Sequence, residues 1–207
     1  MCLQETDATS QAEFEQWIDA ETRANNNKNK YQVLSSPGMA RSRGVAVLYH
    51  PSLSVLSSSA DSQGRLQVIH FSHHSTSFQL VNIYGPNQKN PGIAFFNSIL
   101  PLINVSLPTI IGGDFNTVVD PHIDRKGCNP TSPWAYNWPH TLATLTNELN
   151  LTDIWRTRHP HERSYTWSRA SGQVGSRLDM FWLSSSLVPS VKEVSILPYF
   201  SSDHSYV

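Results

Sequence analysis

Cysteine is nearly absent: Cys2 and Cys128 are the two thiols in 207 residues, and no paired spacing links them. That excludes a disulfide framework and a thiolate zinc site, so a catalytic metal is expected to have oxygen ligands. Charge of one sign is also missing. The 15 Lys and Arg stand against 16 Asp and Glu, a net charge of −1, so the bulk composition does not announce a binder of polyanions. No apolar run approaches bilayer-spanning length, and the opening MCLQETDATS carries acid where a signal peptide needs Lys or Arg. The chain reads as soluble and intracellular, with no membrane partner. Internal repeats and low-complexity linkers are absent too, and the length suits one large domain over residues 1–207.

What is present is organised around Pro108–Val119, PTIIGGDFNTVV. Thr109, Ile110 and Ile111 are β-branched and suit a buried strand, and Gly112-Gly113 permit a sharp exit and close backbone approach. Asp114 and Asn116 then fall at a strand's carboxyl end, where a rigid sheet can hold catalytic groups. An acidic acceptor and an amide two residues apart can share a metal, a water and a phosphate oxygen. Taken alone, the same residues read equally well as an Asx-turn or a helix cap.

In chain order, MCLQET reads as the end of a strand closing at Glu5. Ser10 with Glu13 forms a capping-box pattern, and Phe14, Trp17 and Ile18 make an apolar helical stripe. After the polar NNNKNK loop come YQVL, GVAVLY, LSVLS, RLQVIHF and FQLVNIY, strands in succession with the last ending at Tyr84. Tyr84 fits either a ligand-facing hydroxyl or a sheet-edge aromatic. A helix from Asn90 and Pro91 leads back to the central strand, so Tyr84 and Asp114 are expected at similar levels of a sheet. Residues 117–137 read as an irregular loop, and Pro139 opens a helix carrying Leu142, Leu145 and Leu149. The Arg156–Arg177 stretch, with five arginines against Glu162 alone, fits a phosphate-facing surface or a solvated loop. SYTWS and SRLDMFW are expected to form a hairpin around RASGQVG, VKEVSIL a further strand, and the following loop delivers Asp203 and His204. About ten strands with intervening helices describe an α/β sandwich.

The motifs LQET (Leu3–Thr6), NIYGPN (Asn82–Asn87), GGDFN (Gly112–Asn116), SRLD (Ser176–Asp179) and SSDH (Ser201–His204), in this order, resemble the endonuclease/exonuclease/phosphatase superfamily. DFNTVVDPHIDR, LTDIWRTRHP and YTWSRASG look most like the apurinic/apyrimidinic-like endonuclease domain of LINE-type non-LTR retrotransposons. The resemblance implies a DNase I-like, four-layer α/β sandwich with two packed mixed β-sheets flanked by helices. It implies a Mg2+-dependent phosphodiesterase that nicks DNA, with Mn2+ as a substitute ion. By the same resemblance Glu5 and Asp203 are metal residues, and Tyr84, Asp114, Asn116, Asp179 and His204 are catalytic. Asp114 looks like the acid/base on the attacking water, and Asp179 like the carboxylate that orients His204 on a phosphate oxygen. Thr166 and Ser202 resemble DNA-backbone contacts.

The family pattern further implies an Asn-bearing strand before LQET and an apolar strand after SDH. This sequence starts after the first and stops within the second, so it reads as truncated at both ends. A longer protein with a reverse-transcriptase domain downstream, working in the nucleus, is the expected setting. Two other readings stay open: an inactive retrotransposon-derived fragment with weak DNA binding, and a phosphoesterase for a lipid or small molecule.

Overall fold

The computed structural model describes residues 1–24, 31–38, 44–127, 139–199 and 202–207. The NNNKNK loop, residues 128–137 of the expected irregular stretch and Ser201 of the SSDH motif lie outside the described residues. The chain forms two compact units, Met1–Tyr84 with Ile111–Gly113, and Gly85–Ile110 with Asp114–Val207.

In the first unit, β1 (Cys2–Gln4), β2 (Gln32–Pro37) and β3 (Gly44–Tyr49) form an antiparallel sheet in the order β1-β3-β2. Helix α1 (Gln11–Ala24) covers one face of it. Ala8, Phe14 and Ala46 are buried there, with Leu3, Ile18, Val33 and Leu48 against them. On the opposite face Val47 joins Ile69 and Phe71, with Leu34, Tyr49, Val55 and Phe78 around them. Cover on both faces explains why GVAVLY is a continuous apolar run and does not alternate. The second sheet of this unit runs β4 (Ser54–Ala60), β5 (Leu66–His73), β6 (Thr76–Tyr84), then β7 (Thr109–Asp114). All the strands expected before Tyr84 are present, and β5 and β6 pair in unbroken register from Leu66↔Ile83 to His73↔Thr76.

The cap of α1 differs in detail from a reciprocal box. Ser10 Oγ accepts from the Glu13 amide at 3.1 Å, but the Glu13 carboxylate takes the amide and hydroxyl of Thr9, at 2.7 and 2.6 Å. Trp17, expected on the apolar stripe, is exposed: the stripe that reaches the sheet is only Phe14 and Ile18 wide.

In the second unit α2 (Lys89–Ile99) buries Gly92, Phe96 and Ile99, and α3 (Pro139–Glu148) buries Leu142 and Leu145, as their spacing predicts. Strand β9 (Leu151–Asp153) runs into a short helix, α4 (Ile154–Arg158), which Asp153 caps by accepting from the Arg156 amide. The expected hairpin exists but is shorter. Strand β10 (Trp167–Ser168) pairs with β11 (Gly175–Ser176), which also pairs with β8 (Arg125–Lys126). SRLDMFW is not one strand. It breaks at Arg177-Leu178, and β12 (Asp179–Ser184) begins afresh to pair with β9. Among the described residues VKEVSIL forms no ladder, and it pairs through a bridge from Leu197 to Tyr206.

Candidate functional site

In the first unit, Glu5 follows β1 directly in the left-handed region, at φ 53°, and its exposed carboxylate accepts a hydrogen bond from the Tyr84 hydroxyl. A non-glycine residue in that region is strained and is worth a functional question. The strands behind the pair are fixed by side-chain amides. Gln4 Nε2 donates to Asn82 Oδ1 at 2.7 Å, and Asn82 Nδ2 donates to the carbonyls of Leu3 and Ala46 at 3.2 and 2.9 Å. Arg65 adds a brace to Tyr84, stacking over its ring at 4.8 Å and donating to its carbonyl at 3.0 Å. Gly113 of β7, at φ +133°, is pressed so closely on β6 that a Cβ there would strike the Ile83 carbonyl oxygen.

In the second unit, Asp114 is the last residue of β7 and is buried. Its Oδ1 accepts from the Asn116 amide at 2.7 Å, and its Oδ2 from the Asn116 side chain at 3.0 Å. The Asx-turn reading is therefore realised, and it orients the carboxylate. Asn116 holds the turn at φ 49° and also donates to the Gly85 carbonyl at 2.8 Å, while the Gly85 amide donates to the Asp114 carbonyl. Asparagine tolerates this backbone region better than most residues.

Twenty-five residues apart in sequence, Asp179 and His204 meet: His204 Nδ1 lies 2.8 Å from Asp179 Oδ2. Burial alone would depress the imidazole, but the hydrogen bond and charge of Asp179, with the charges of Asp114 and Asp203, push its pKa up to about 9. Asp203 receives the Trp167 indole N–H at 2.8 Å, and the Ser168 amide donates to its carbonyl. Ser202 is exposed, and its Oγ accepts from the His204 amide at 3.0 Å. An open depression of about 580 Å3 lies beside His204, bounded by Ser168, Ala170, Tyr199 and Ser202.

Thr166, expected on a DNA backbone, is buried, and its Oγ1 accepts from the amides of Leu178 and Asp179, each at 2.9 Å. The Arg156–Arg177 stretch is neither simply a phosphate-facing surface nor a solvated loop. Arg177 is fully buried between Asp124 and Asp153, with bonds of 2.8 and 2.7 Å, and Arg156 reaches Asp124 at 2.6 Å. Arg163 and Arg169 of that stretch are exposed. Among sequence signals, only the position of Arg177 inside SRLD hinted at this network.

Among the described residues, no group of three or more His, Cys, Asp or Glu side chains stands ready to enclose a metal ion. An ion that keeps most of its waters and needs one or two carboxylates suits the exposed Glu5, whereas one demanding a full protein cage would not be served there.

Residues 1–204 match the model of the Endonuclease/Exonuclease/phosphatase family, and the chain belongs to that family. Its fold is accordingly the DNase I-like α/β sandwich that the sequence motifs imply. Among individual relatives, it is 29% identical over 174 residues to the transposon TX1 uncharacterized 149 kDa protein of Xenopus laevis, covering 79% of this chain. The chain spans 13% of that relative's length. Of solved structures, an AP endonuclease from Archaeoglobus fulgidus superposes with a TM-score of 0.73 at 17% identity, over 99% of this chain and 85% of the other. The endonuclease domain of TRAS1, a telomere-specific non-LTR retrotransposon, gives 0.60 at 15% identity, over 91% of this chain and 87% of its own.

Proposed function

We propose that the chain is a Mg2+-dependent phosphodiesterase that nicks DNA, as the first cut of target-primed retrotransposition. The observation that carries this reading is the Asp179–His204 pair under the added charge of Asp114 and Asp203. With its pKa raised to about 9, His204 is an imidazolium at neutral pH. Its Nδ1 proton is committed to Asp179, which leaves Nε2–H to donate to a phosphate oxygen. Asp114, held by both bonds from Asn116, takes the proton of the attacking water as the new P–O bond forms and the bond to the leaving oxygen breaks. Glu5, oriented by the Tyr84 hydroxyl, would hold the ion, which when bound offsets charge on the phosphate and the leaving oxygen. The exposed Arg163 and Arg169 favour a polyanionic substrate over a small phosphoester. DNA is thus the proposed partner, the nucleus the proposed place of action, and a reverse-transcriptase domain is proposed for a longer protein containing this chain.

Supercoiled plasmid incubated with purified residues 1–207 and either Mg2+ or EDTA tests the reading, with circular dichroism on every sample. Nicking that requires Mg2+ and disappears in Asp114→Ala and in His204→Ala is expected. Undiminished nicking in a folded variant would remove that residue from the site, and no nicking by folded wild type would leave the chain without the proposed activity.

A further inference from the structure

Thr166 lies at a convergence that the reaction scheme above does not use. It is buried, directly before the short strand β10, and all its polar groups are engaged. Its amide donates to the Ser176 carbonyl at 3.1 Å, closing the hairpin stem. Its carbonyl accepts from the Ser205 amide at 2.6 Å, which ties down the residue after His204. Its hydroxyl oxygen accepts from both Leu178 and Asp179 amides, at 2.9 Å each. Those two amides fall at the break between β11 and β12, where the hydroxyl takes both while the Leu178 carbonyl accepts from the Phe115 amide at 2.9 Å. One residue therefore bonds the backbone of Asp179 and that of Ser205, next to His204. Its neighbours extend the grip, since Trp167 forms a bridge to His204 and bonds the Asp203 side chain.

We infer that Thr166 is a positioning residue: its hydroxyl and carbonyl together set the separation of Asp179 and His204, and it does not touch DNA. The inference rests on the nuclease reading for its effect on rate, but not for its effect on the pair. A buried hydroxyl that accepts two amide protons leaves both unsatisfied when it is removed, so the segment carrying Asp179 must shift to recover partners. A displacement of about 1 Å in a catalytic group is enough to lower a rate on the order of 100-fold.

The test compares wild type, Thr166→Val, which keeps the shape and deletes the hydroxyl, and Thr166→Ser, which restores it. Proton NMR follows the low-field His204 Nδ1–H resonance, assigned by its absence in His204→Ala, and plasmid nicking supplies kcat and KM. In Thr166→Val the resonance should be lost or moved upfield and kcat should fall on the order of 10- to 100-fold, with KM within about twofold of wild type. Thr166→Ser should recover both. A risen KM with kcat and the resonance unchanged would mean that the hydroxyl contacts DNA after all, and would overturn the inference. So would a folded Thr166→Val with resonance and kcat both intact. If wild type does not nick, the nuclease reading fails, and the resonance alone decides whether Thr166 sets the pair. Should Thr166→Val fail to fold, hydrogen exchange on wild type decides: Leu178 and Asp179 amides protected well above the exposed 169–173 loop support the clamp, and loop-like exchange overturns it.

Discussion

At the scale of single residues, His204 is held against Asp179, with Nδ1 2.8 Å from Oδ2. Asp179 raises the folded-state pKa of the imidazole above its unfolded value, so the pair favours the fold fully below the unfolded pKa of about 6.5. That contribution fades as pH rises through about 9. An NMR titration of His204 should therefore show a midpoint near 9 in wild type. In Asp179→Asn it should move down toward the ordinary histidine value, because the largest raising influence is gone. An unchanged midpoint in that variant would assign the shift to something other than the pair. The Asp179–His204 contact and the Asp114–Asn116 turn were legible in the sequence because short motifs at strand ends carried them. Thr166 was named as a DNA-backbone contact, and its hydroxyl accepts two backbone amides, a partner set that a sequence does not distinguish from a phosphate. Arg177 and Asp124 were passed over for a related reason: charge in a polar stretch reads as surface until its partners are known.

At the scale of elements, segments bounded by clear breaks were the readable ones. The strands from Gln32 to Tyr84 carry β-branched and aromatic residues between clear breaks, and the structure has each of them. The segments that misled were those whose pairing is decided elsewhere. VKEVSIL has good strand composition, yet composition does not supply a neighbour, and among the described residues it pairs at Leu197 alone. SRLDMFW reads as one strand, but Arg177 must turn inward to Asp124 and Asp153, and the strand is interrupted to let it. Helix α1 offers a direct measurement. Ser10→Ala removes the oxygen that takes the Glu13 amide and should lower unfolding stability by about 1 kcal/mol. Phe14→Ala opens the interface between α1 and the β1-β3-β2 sheet and should cost about 3 to 5 kcal/mol. Trp17→Ala, on the exposed side, should change stability by only about 0.5 kcal/mol in chemical denaturation.

At the scale of the whole molecule, stability in acid is governed in part by the buried charges of the second unit. Burial works to raise the Asp124 carboxyl, but Arg177, the Asp120 amide and Arg156 outweigh it and hold its pKa below the ordinary carboxylate value. Its stabilising effect is thus complete above the unfolded pKa and is lost as pH falls through the folded one. Melting temperature measured downward from neutral pH should drop over that acid range, and Asp124→Asn should flatten the drop while lowering stability at neutral pH. Arg177→Ala should be severe, about 3 to 5 kcal/mol, because it deprives the buried Asp153 of its guanidinium partner and leaves Asp124 with Arg156 alone.

The same four residues constrain how this sequence can drift. Asp124, Asp153, Arg156 and Arg177 touch one another across 53 positions of chain, and a change at one alters what the other three can tolerate. Replacing the whole set with apolar residues of similar volume is far less damaging than losing a single member. Descendants of this chain that no longer need to fold should show the network broken piecemeal, one partner at a time. Those still selected to fold should keep all four or exchange them together, and this coupled inheritance marks a folded lineage independently of whether its members still cut anything.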